Sequence, residues 1–263
     1  MAAPVRRIRL DERLVRDGLV ESRAMAQRLV MAGSVLVDGL VCDKSSAQVA
    51  NAARVELRQR ARFVSRGGDK LDNAISDLGP QLEQLGLRVE EAHAIDVGCS
   101  HGGFSDCLLQ RGAATVIAVD VGYGQLHPKL RGDQRVTVME RTNARYLTPD
   151  ELPRAPDLIV CDTSFISLTT VLPAPLACMQ PGFWGLLLCK PQFEAGPARL
   201  RAGGKGGVIR DAAIRDEVLA ETVAGVRALG VSVDAVVEAR PPGPKGNIEY
   251  VLLIRDSRNI LPS

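Results

Sequence analysis

From residue 92 onward the chain alternates short apolar runs with amphipathic runs, and this alternation restricts its fold more than any other feature. The apolar runs predict seven strands: Ala94–Val97, Val116–Val119, Val136–Glu140, Leu158–Cys161, Phe183–Cys189, Val231–Ala239 and Tyr250–Ile254. Helical patterns lie between them, most clearly over Asp211–Leu229. Short strands that are apolar throughout, with helices between them, are buried on both faces. The pattern therefore predicts an α/β domain with a doubly wound, mostly parallel seven-stranded sheet.

The first 70 residues differ from the rest of the chain in charge. They contain fourteen Lys and Arg against eight Asp and Glu, a net of +6, whereas the remainder has nineteen against twenty-three, a net of −4. A helical run near Leu10, a second run capped by Ser22 and a hairpin pattern at Asp38-Gly39 predict a small α+β module. A basic module joined to a mildly acidic one indicates binding of a polyanion, although a solvated arginine face explains the charge equally well.

Composition excludes several classes of protein. With 46% hydrophobic and 24% charged residues the chain is not largely disordered, and 3% aromatics argue against a stacking platform of several rings. Six dispersed cysteines and three scattered histidines predict reduced thiols, no metal site and a cytoplasmic location. The uncharged stretch 163–189 is long enough to span a bilayer, but prolines interrupt it. We therefore expect a soluble protein without an export signal.

A glycine-rich loop, DVGCSHGGF, follows the first predicted strand of the sheet and runs from Asp96 to Phe104. Glycines at a strand-to-helix turn permit a sharp bend and a close approach of the backbone to a ligand, and open α/β sheets bind ligands at this edge. The spacing matches neither the dinucleotide fingerprint nor a P-loop. The loop therefore predicts another type of ligand site, with a merely tight turn as the alternative.

Two polar residues follow the next two strands. Asp120, twenty-four residues after Asp96, is placed where a carboxylate commonly binds ribose hydroxyls. The amide of Asn143 suits either an adenine edge or the capping of its own loop. With the glycine-rich loop, these residues resemble the S-adenosylmethionine site of a class I methyltransferase. The candidate cofactor-binding residues are Asp96, Gly98, Ser100, Gly102, Gly103, Phe104, Asp120, Asn143 and Asp162.

Four ionisable residues stand at the ends of predicted elements. Asp162 ends the fourth strand and Lys190 the fifth, Glu249 precedes the last strand, and Lys70 begins the helix before the sheet. A charge beside an apolar run is costly unless it is paired. These groups are expected to converge on the ligand-binding edge of the sheet, and a purely structural cluster of ion pairs is the alternative.

Three patterns in the first segment resemble the S4 RNA-binding domain. They are Arg9-Leu10-Asp11-Glu12-Arg13-Leu14, Ser22-Arg23-Ala24-x-Ala26 and Gly33-x-Val35-x-Val37-Asp38-Gly39. The resemblance implies that a pair of helices presents arginines to RNA phosphates. A basic glycine-rich loop, 199–210, suits either a clamp on RNA or a mobile connection. The candidate RNA-binding residues are Arg6, Arg7, Arg9, Arg13, Arg23, Arg28, Arg66, Arg199, Arg201 and Lys205.

Five motifs beyond the first segment are similar to those of the TlyA family. They are Ser65-Arg66-Gly67-Gly68-x-Lys70-Leu71, Asp96-Val-Gly-x-Ser100-x-Gly102-Gly103-Phe104, Cys161-Asp162-x-Ser164-Phe165, Lys190-Pro191-Gln192-Phe193-Glu194 and Lys205-Gly-Gly-Val-Ile-Arg-Asp211. The resemblance covers nearly the whole chain. Cys99 and His101 depart from the family, in which Ala and Thr are usual, and this leaves the affinity for the cofactor open.

The TlyA resemblance implies an S4 domain at 1–62, a linker at 63–69 and a Rossmann-like, FtsJ-type class I methyltransferase domain at 70–263. It also implies S-adenosylmethionine-dependent 2′-O-methylation of ribosomal RNA, on cytidine in the small subunit, the large subunit or both. The sequence leaves the oligomeric state open, and we favour a monomer. The family's catalytic tetrad corresponds to Lys70, Asp162, Lys190 and Glu249. The family is also catalogued as haemolysin-like.

The tetrad suits this chemistry, because a ribose 2′-hydroxyl is a poor nucleophile until its proton is removed. Our hypothesis is that Lys190 is the base and that Asp162 aligns both Lys190 and the methyl donor, while Lys70 and Glu249 position the ribose. Two alternatives come from other classes of protein. One is a non-catalytic RNA-binding or ribosome-assembly factor, which an intact tetrad disfavours. The other is a membrane-lytic haemolysin, for which the sequence shows neither an uninterrupted apolar helix nor a secretion signal.

Overall fold

The computed structural model of the protein describes residues 7–57, 62–205 and 207–257, with the side chains at 201–205 excepted. Arg6 lies outside the described residues, as do the side chains of Arg201 and Lys205. By its internal contacts the chain divides into two compact units, Met1–Ala61 and Arg62–Ser263.

Within its described residues, 7–57, the first unit contains two short helices and five short strands. They are β1 (Arg7–Arg9), α1 (Leu10–Arg16), α2 (Arg23–Met31), β2 (Val35–Val37), β3 (Leu40–Val41), β4 (Gln48–Ala50) and β5 (Val55–Leu57). The Ser22 hydroxyl caps α2 by accepting the Met25 N–H at 3.2 Å. Asp38 and Gly39 have φ of 52° and 81°, the geometry of a two-residue hairpin turn. The predicted helix pair and hairpin are confirmed.

One small apolar core holds the first unit together. Leu10 and Leu14 of α1 pack with Ala26 and Val30 of α2, over Val35 of β2. These spacings of four residues place each pair on one helix face, as the sequence predicted. The arginines of α1 and α2 lie at the other positions of the same helices, so the apolar pattern also decides which basic side chains can face solvent.

The second unit alternates strands and helices. Up to β9 its elements are α3 (Arg66–Asp77), α4 (Gly79–Gln84), β6 (His93–Val97), α5 (Gly103–Gln110), β7 (Thr115–Val119), α6 (Pro128–Arg131), β8 (Val136–Met139) and β9 (Leu158–Cys161). The remainder are α7 (Leu168–Val171), α8 (Pro173–Ala177), β10 (Trp184–Cys189), α9 (Pro191–Glu194), α10 (Gly196–Gly203), β11 (Gly204–Lys205), β12 (Val208–Ile209), α11 (Ala212–Arg227), β13 (Val231–Glu238) and β14 (Tyr250–Asp256).

Seven of these strands form one sheet in the order β13-β14-β10-β9-β6-β7-β8. The five strands from β10 to β8 are mutually parallel, and β14 runs antiparallel to both of its neighbours. Successive residues of a strand enter different cores: Ala94 and Leu186 belong to one, Ile95 and Leu187 to the other. Helix α3 contributes Leu71 to the first core, and α11 contributes Val226 to the second. The predicted doubly wound sheet is therefore confirmed.

The helix before the sheet begins earlier than the sequence pattern predicts. The sequence predicts a linker at 63–69 and the start of this helix at Lys70, but α3 starts at Arg66 and includes both Gly67 and Gly68. A Cβ at Gly68 would lie 2.3 Å from the Phe63 ring. Gly68 is therefore required by close packing of the ring against the helix, and not by freedom of the backbone.

The uncharged stretch 163–189 folds as a loop, the short helices α7 and α8, a turn and the buried strand β10. Within the described ranges, no helix is both long enough and apolar enough to cross a membrane. Nor do the described His, Cys, Asp and Glu side chains form any group of three or more that could hold a metal ion.

Candidate active site

Four charged side chains from distant parts of the sequence meet at one edge of the sheet. Asp162 follows β9 and Lys190 follows β10, and because these strands are parallel both residues leave the sheet at the same edge. Glu249 immediately precedes β14, which runs in the opposite direction and so begins at that edge. Lys70 lies on α3. The expected convergence of the four residues is what the structure shows.

The four residues form two lysine–carboxylate pairs. Lys70 Nζ donates to Glu249 Oε2 at 2.5 Å, and Lys190 Nζ lies 2.5 Å from Asp162 Oδ1. The second oxygen of Glu249 accepts the Gln192 side-chain amide at 3.1 Å. Lys190 Nζ also donates to the Ser164 hydroxyl at 3.0 Å. Each lysine therefore has one carboxylate partner, and each pair has a further polar neighbour.

Both pairs line one cavity of about 510 Å³. Its wall also includes Arg66, Lys245 and Asn247, so cationic and amide groups surround the two pairs. The volume falls within the range of pockets that take small ligands or a single nucleotide unit. The cavity can therefore admit a polar substrate group directly to the amines of Lys70 and Lys190.

Two aromatic rings stand beside Lys190 in the same cavity. The ring centroids of Phe165 and Phe193 are 4.8 Å apart, and Lys190 Nζ lies 5.9 Å from the centroid of Phe193. Phe165 is 89% exposed and adopts φ of 65°, which a phenylalanine rarely does. The low aromatic content argued against a platform of several rings, yet folding brings these two rings together at the cavity.

The glycine-rich loop borders two smaller cavities, of about 180 and 270 Å³. Asp96, Gly103 and Phe104 line the smaller one, and Asp120 and Asn143 line the larger. Gly98 and Ser100 line both. Asp162 and Ser164 line these two and the 510 Å³ cavity as well. The two cavities beside the loop and the cavity of the lysine–carboxylate pairs therefore have Asp162 and Ser164 as common wall residues.

Two glycines of the loop serve different purposes. Gly98 has φ of 84°, and a Cβ there would lie 2.9 Å from the Asp162 carbonyl oxygen, so the residue permits the turn beside the cavities. Gly102 has φ of 88°, and a Cβ there would lie 2.2 Å from Leu130 of α6. Gly102 lines none of the three cavities, so the geometry assigns it to packing under the loop.

Asp96 is completely buried beneath the loop. Its Oδ2 accepts the N–H of Ser105 at 3.0 Å and the hydroxyl of Ser105 at 2.6 Å, whereas Oδ1 has no hydrogen-bond partner. Burial raises the pKa of Asp96 to about 7, because no cation compensates the loss of solvation. An unpaired buried carboxylate oxygen on the wall of a cavity is an acceptor for a cationic ligand group.

Asp120 and Asn143 are held in place by backbone groups of their own loops. Asp120 accepts the Ser100 N–H at 2.8 Å and the Gly122 N–H at 2.7 Å, one on each oxygen. Asn143 accepts the Arg145 N–H at 3.2 Å, so it caps its loop while it lines the 270 Å³ cavity. The two readings of Asn143 from the sequence are therefore compatible.

The two residues that depart from the family pattern occupy different environments. Cys99 is buried, and burial strongly raises the pKa of its thiol, which keeps the side chain neutral. It therefore takes the place of a small apolar residue. His101 lines the 180 Å³ cavity, and its Nδ1 lies 3.3 Å from the Ser100 hydroxyl.

The arginines of the first unit divide into buried and exposed groups. Arg13 is almost buried: its guanidinium pairs with Asp17 and donates to the Asn51 carbonyl at 2.9 Å, so it stabilises the unit itself. Arg9 and Arg23 both donate to the buried carboxylate of Asp11, and the bonds from Arg9 hold the pKa of Asp11 well below its usual range. Among the candidate RNA-binding arginines of this unit, the exposed ones are Arg7, Arg23 and Arg28.

The candidate RNA-binding residues of the second unit are also separated. Arg66 is exposed and lines the 510 Å³ cavity. Arg199 lies in α10, where its Nη2 donates to Glu221 of α11 at 2.8 Å. Arg66 is therefore placed at the site, while Arg199 is engaged in an ion pair.

Several residues at the site were not singled out from the sequence. They are Ser164, Phe165, Gln192, Phe193, Lys245 and Asn247. The first four lie in the motifs that contain Asp162 and Lys190. Their proximity to the site could therefore be predicted from the sequence, although their contacts could not. Lys245 and Asn247 lie just before Glu249, in a loop with no apolar pattern that could place them.

Comparison with known proteins agrees with this architecture. The profile of the FtsJ-like methyltransferases matches residues 63–255, and the profile of the S4 domain matches residues 8–52. The first match contains all four paired residues and the seven-stranded sheet up to the last residue of β14, and the second lies within the basic unit.

Relatives along nearly the whole chain define the family more closely. The 16S/23S rRNA (cytidine-2′-O)-methyltransferase TlyA of Mycobacterium tuberculosis is 43% identical, over 95% of this chain and 90% of that protein. Hemolysin A of Brachyspira hyodysenteriae is 36% identical, over 93% and 98%. A solved structure of a hemolysin-named protein from Streptococcus thermophilus is 37% identical, covers 97% and 90%, and has a TM-score of 0.70. The chain belongs to the TlyA family of S4-containing, FtsJ-like methyltransferases.

Proposed function

We propose that the protein transfers a methyl group from S-adenosylmethionine to the 2′-oxygen of a cytidine in ribosomal RNA, of the 16S type, the 23S type or both. The observation that carries the proposal is the placement of the pairs Lys70–Glu249 and Lys190–Asp162 on one cavity beside the glycine-rich loop. The name of the M. tuberculosis relative supports the nucleotide and the two RNAs. Ribosomal RNA as substrate also favours a cytoplasmic location.

The residues at the two smaller cavities fit S-adenosylmethionine. The unpartnered Oδ1 of Asp96 suits the ammonium group of its amino-acid part. Asp120 and Asn143 suit its nucleoside part, since each carboxylate oxygen of Asp120 keeps a further lone pair beyond the backbone bond that it accepts. When bound, S-adenosylmethionine supplies an electrophilic methyl group on a positively charged sulfur.

Lys190 would act as the general base. In its neutral form the amine accepts the proton of the 2′-hydroxyl, and the ribose oxygen becomes nucleophilic as the methyl group arrives. Asp162 holds Nζ at 2.5 Å and stabilises the ammonium that forms. Asp162 also lines the smaller cavities, so it adjoins the space proposed for the methyl donor.

Lys70 and Glu249 would position the ribose. Glu249 is fixed on both oxygens, by Lys70 and by Gln192, and is therefore a rigid acceptor beside the cavity. A fixed ammonium and a fixed carboxylate can hold ribose hydroxyls in the orientation that in-line attack requires. The exposed arginines Arg7, Arg23 and Arg28 would bind phosphates of structured rRNA, together with Arg66 at the cavity.

Transfer of labelled methyl tests the proposal. The protein is incubated with labelled S-adenosylmethionine and with unmodified small subunits, large subunits or naked rRNA. We expect alkali-stable label in at least one substrate and none with Lys190→Ala. Measured cofactor binding without label in any rRNA substrate would favour the assembly-factor alternative. Absence of cofactor binding would refute the enzyme.

A further inference from the structure

Two buried amide side chains on the wall of the 510 Å³ cavity are oriented by hydrogen bonds to the protein. The amide nitrogen of Gln192, Nε2, donates to Glu249 Oε1 at 3.1 Å. The amide nitrogen of Asn247, Nδ2, donates to the carbonyl oxygens of Gly207 at 3.3 Å and Pro244 at 3.2 Å. Because each of these partners is an acceptor, the hydrogen bonds fix which end of each amide carries the nitrogen.

The oxygen atoms of the same two amides have no protein partner. Among the described residues, no donor reaches Gln192 Oε1 or Asn247 Oδ1. Within the same residues, Asp96 Oδ1 and Asp162 Oδ1 are the side-chain atoms that are completely buried without a hydrogen-bond partner. The two amide oxygens are therefore open to the space of the cavity that their residues line. When a substrate displaces water from this space, each oxygen needs a donor from the substrate.

Both amides border the short loop that precedes Glu249. The Gly243 N–H donates to the backbone carbonyl of Asn247 at 2.8 Å. A Cβ at Gly243 would lie 2.2 Å from Glu249 Oε1, the atom to which Gln192 donates. Gln192 and Asn247 are thus connected through Gly243 and Glu249, beside the pair of residues proposed to position the ribose.

The chemistry of an RNA nucleotide limits which of its groups can donate to these two oxygens. Within an RNA chain the phosphate and the ribose atoms O3′, O4′ and O5′ carry no hydrogen, and in the proposed reaction the 2′-hydroxyl gives its proton to Lys190. The remaining donors are the N–H groups of the base. Cytosine has an exocyclic amine with two N–H groups, whereas uracil has a carbonyl oxygen in the same place.

We infer that the amide oxygens of Gln192 and Asn247 bind the exocyclic amine of the target base and so favour cytidine over uridine. The two oxygens match the two N–H groups of the amine. With uridine, the carbonyl oxygen of the base would face two further acceptors, so neither amide would find its donor. The inference rests on the proposed methyl transfer and names the residues that select its nucleotide.

The test compares RNA substrates that carry cytidine or uridine at the position that the wild-type protein methylates. The kcat/KM for methyl transfer is measured with both RNAs at saturating cofactor. The wild-type protein should prefer cytidine by about 100-fold, or about tenfold for each amide. Gln192→Met and Asn247→Leu each remove one amide oxygen at similar side-chain volume, so each should lower this preference about tenfold.

Gln84→Met is the matched control. Gln84 is an exposed glutamine at the end of α4 and lines none of the three cavities. This variant should keep both the rate and the preference of the wild-type protein. Cofactor affinity, measured by calorimetry, should stay within about twofold of wild type in all three variants, because neither Gln192 nor Asn247 lines the two cavities beside the glycine-rich loop.

The ratio of the two kcat/KM values separates contact with the base from support of Glu249. Gln192→Met also removes the donor to Glu249 Oε1, so its rate should fall with both RNAs. A smaller ratio of cytidine to uridine arises only if the amide distinguishes the two bases. Asn247→Leu leaves the bond between Gln192 and Glu249 in place, so it decides the question if Gln192→Met does not fold.

Two results would overturn the inference. One is a wild-type protein that methylates the cytidine and uridine RNAs with equal kcat/KM. The other is an unchanged preference for cytidine in either folded variant, whatever its rate. In both cases the wild-type protein still methylates cytidine in rRNA, so the proposed function stands. If the wild-type protein methylates no rRNA, the proposed function fails and the selection of cytidine fails with it.

Discussion

The two lysine–carboxylate pairs have the same chemistry and the same 2.5 Å contact, but they are enclosed to different degrees. The side chains of Lys70 and Glu249 are 10% and 1% exposed, and Gln192 occupies the second oxygen of Glu249. Those of Lys190 and Asp162 are 11% and 23% exposed, so here the carboxylate faces open space. We call Lys70–Glu249, the more enclosed pair, the closed pair and Lys190–Asp162 the open pair, although both line the 510 Å³ cavity.

This difference assigns separate tasks to residues that look equivalent in a motif. The closed pair holds a fixed geometry, because both oxygens of Glu249 accept hydrogen bonds. The open pair borders the cavities proposed for the substrate and for the cofactor. The changes below alter the closed pair, the open pair or the unpaired carboxylate of Asp96.

The largest effect is expected for Lys190→Ala. Removing the general base should lower the single-turnover rate about a thousandfold, with the cofactor affinity changed only slightly. Lys190→Arg should be no better, because a guanidinium does not deprotonate at neutral pH. A rate within tenfold of wild type in either variant would assign the base to another group.

The closed pair should matter more for stability. Lys70→Met leaves the Glu249 carboxylate buried without its cation and should lower the free energy of unfolding by about 3 kcal/mol. The double variant Lys70→Met/Glu249→Gln should recover part of this loss. Lys190→Met should cost about 1 kcal/mol or less, because Asp162 stays partly solvated. Denaturant unfolding measures all three, and equal losses for the two single variants would contradict the comparison.

Asp96 provides a third carboxylate, one without a lysine. Its pKa is raised from 3.8 to about 7 by burial, so the folded protein binds a proton that the unfolded chain releases between these values. Ionisation of Asp96 should therefore lower stability as pH rises from about 4 to 7. In the absence of cofactor, the free energy of unfolding of Asp96→Asn relative to that of the wild type should rise by about 2 kcal/mol from pH 5 to pH 8. An unchanged difference in melting temperature at the two pH values would refute this.

A smaller effect is expected at the loop that supports Glu249. A Cβ at Gly243 would lie 2.2 Å from Glu249 Oε1, so Gly243→Ala should displace the carboxylate from Gln192 and Lys70. We expect the methyl-transfer rate to fall about tenfold, because substrate position changes while the base remains. Gly246→Asn is the matched control, since Gly246 has open space and asparagine tolerates its positive φ. Equal effects of the two changes would show that loop strain is responsible, not Glu249.

The sheet was predictable because its strands are apolar on both faces. All seven predicted strands are present, and the charged residues that end or precede them reach one edge because the strand directions require it. The position of the glycine-rich loop was predictable for the same reason, because the loop follows the first of these strands. Local pattern and topology together therefore bring Asp162, Lys190 and Glu249 to the site.

Contacts that depend on tertiary packing were not predictable. Gly68 was placed in a linker, but the contact with the Phe63 ring that excludes a Cβ becomes visible only in the folded unit. Arg13 looked like its basic neighbours, yet its position on α1 turns it toward the Asn51 carbonyl. The hydrogen bond from Lys190 to Ser164 follows from the course of one loop, which no periodicity encodes.

The most direct test of the central claim is the position of the transferred methyl group on the nucleoside. RNA is methylated with isotope-labelled S-adenosylmethionine by the wild-type protein and by Lys190→Ala, digested to nucleosides and analysed by mass spectrometry. We predict label on 2′-O-methylcytidine with the wild-type protein and its loss with Lys190→Ala. Label on a base atom, or equal 2′-O label with both proteins, would contradict the role assigned to the open pair.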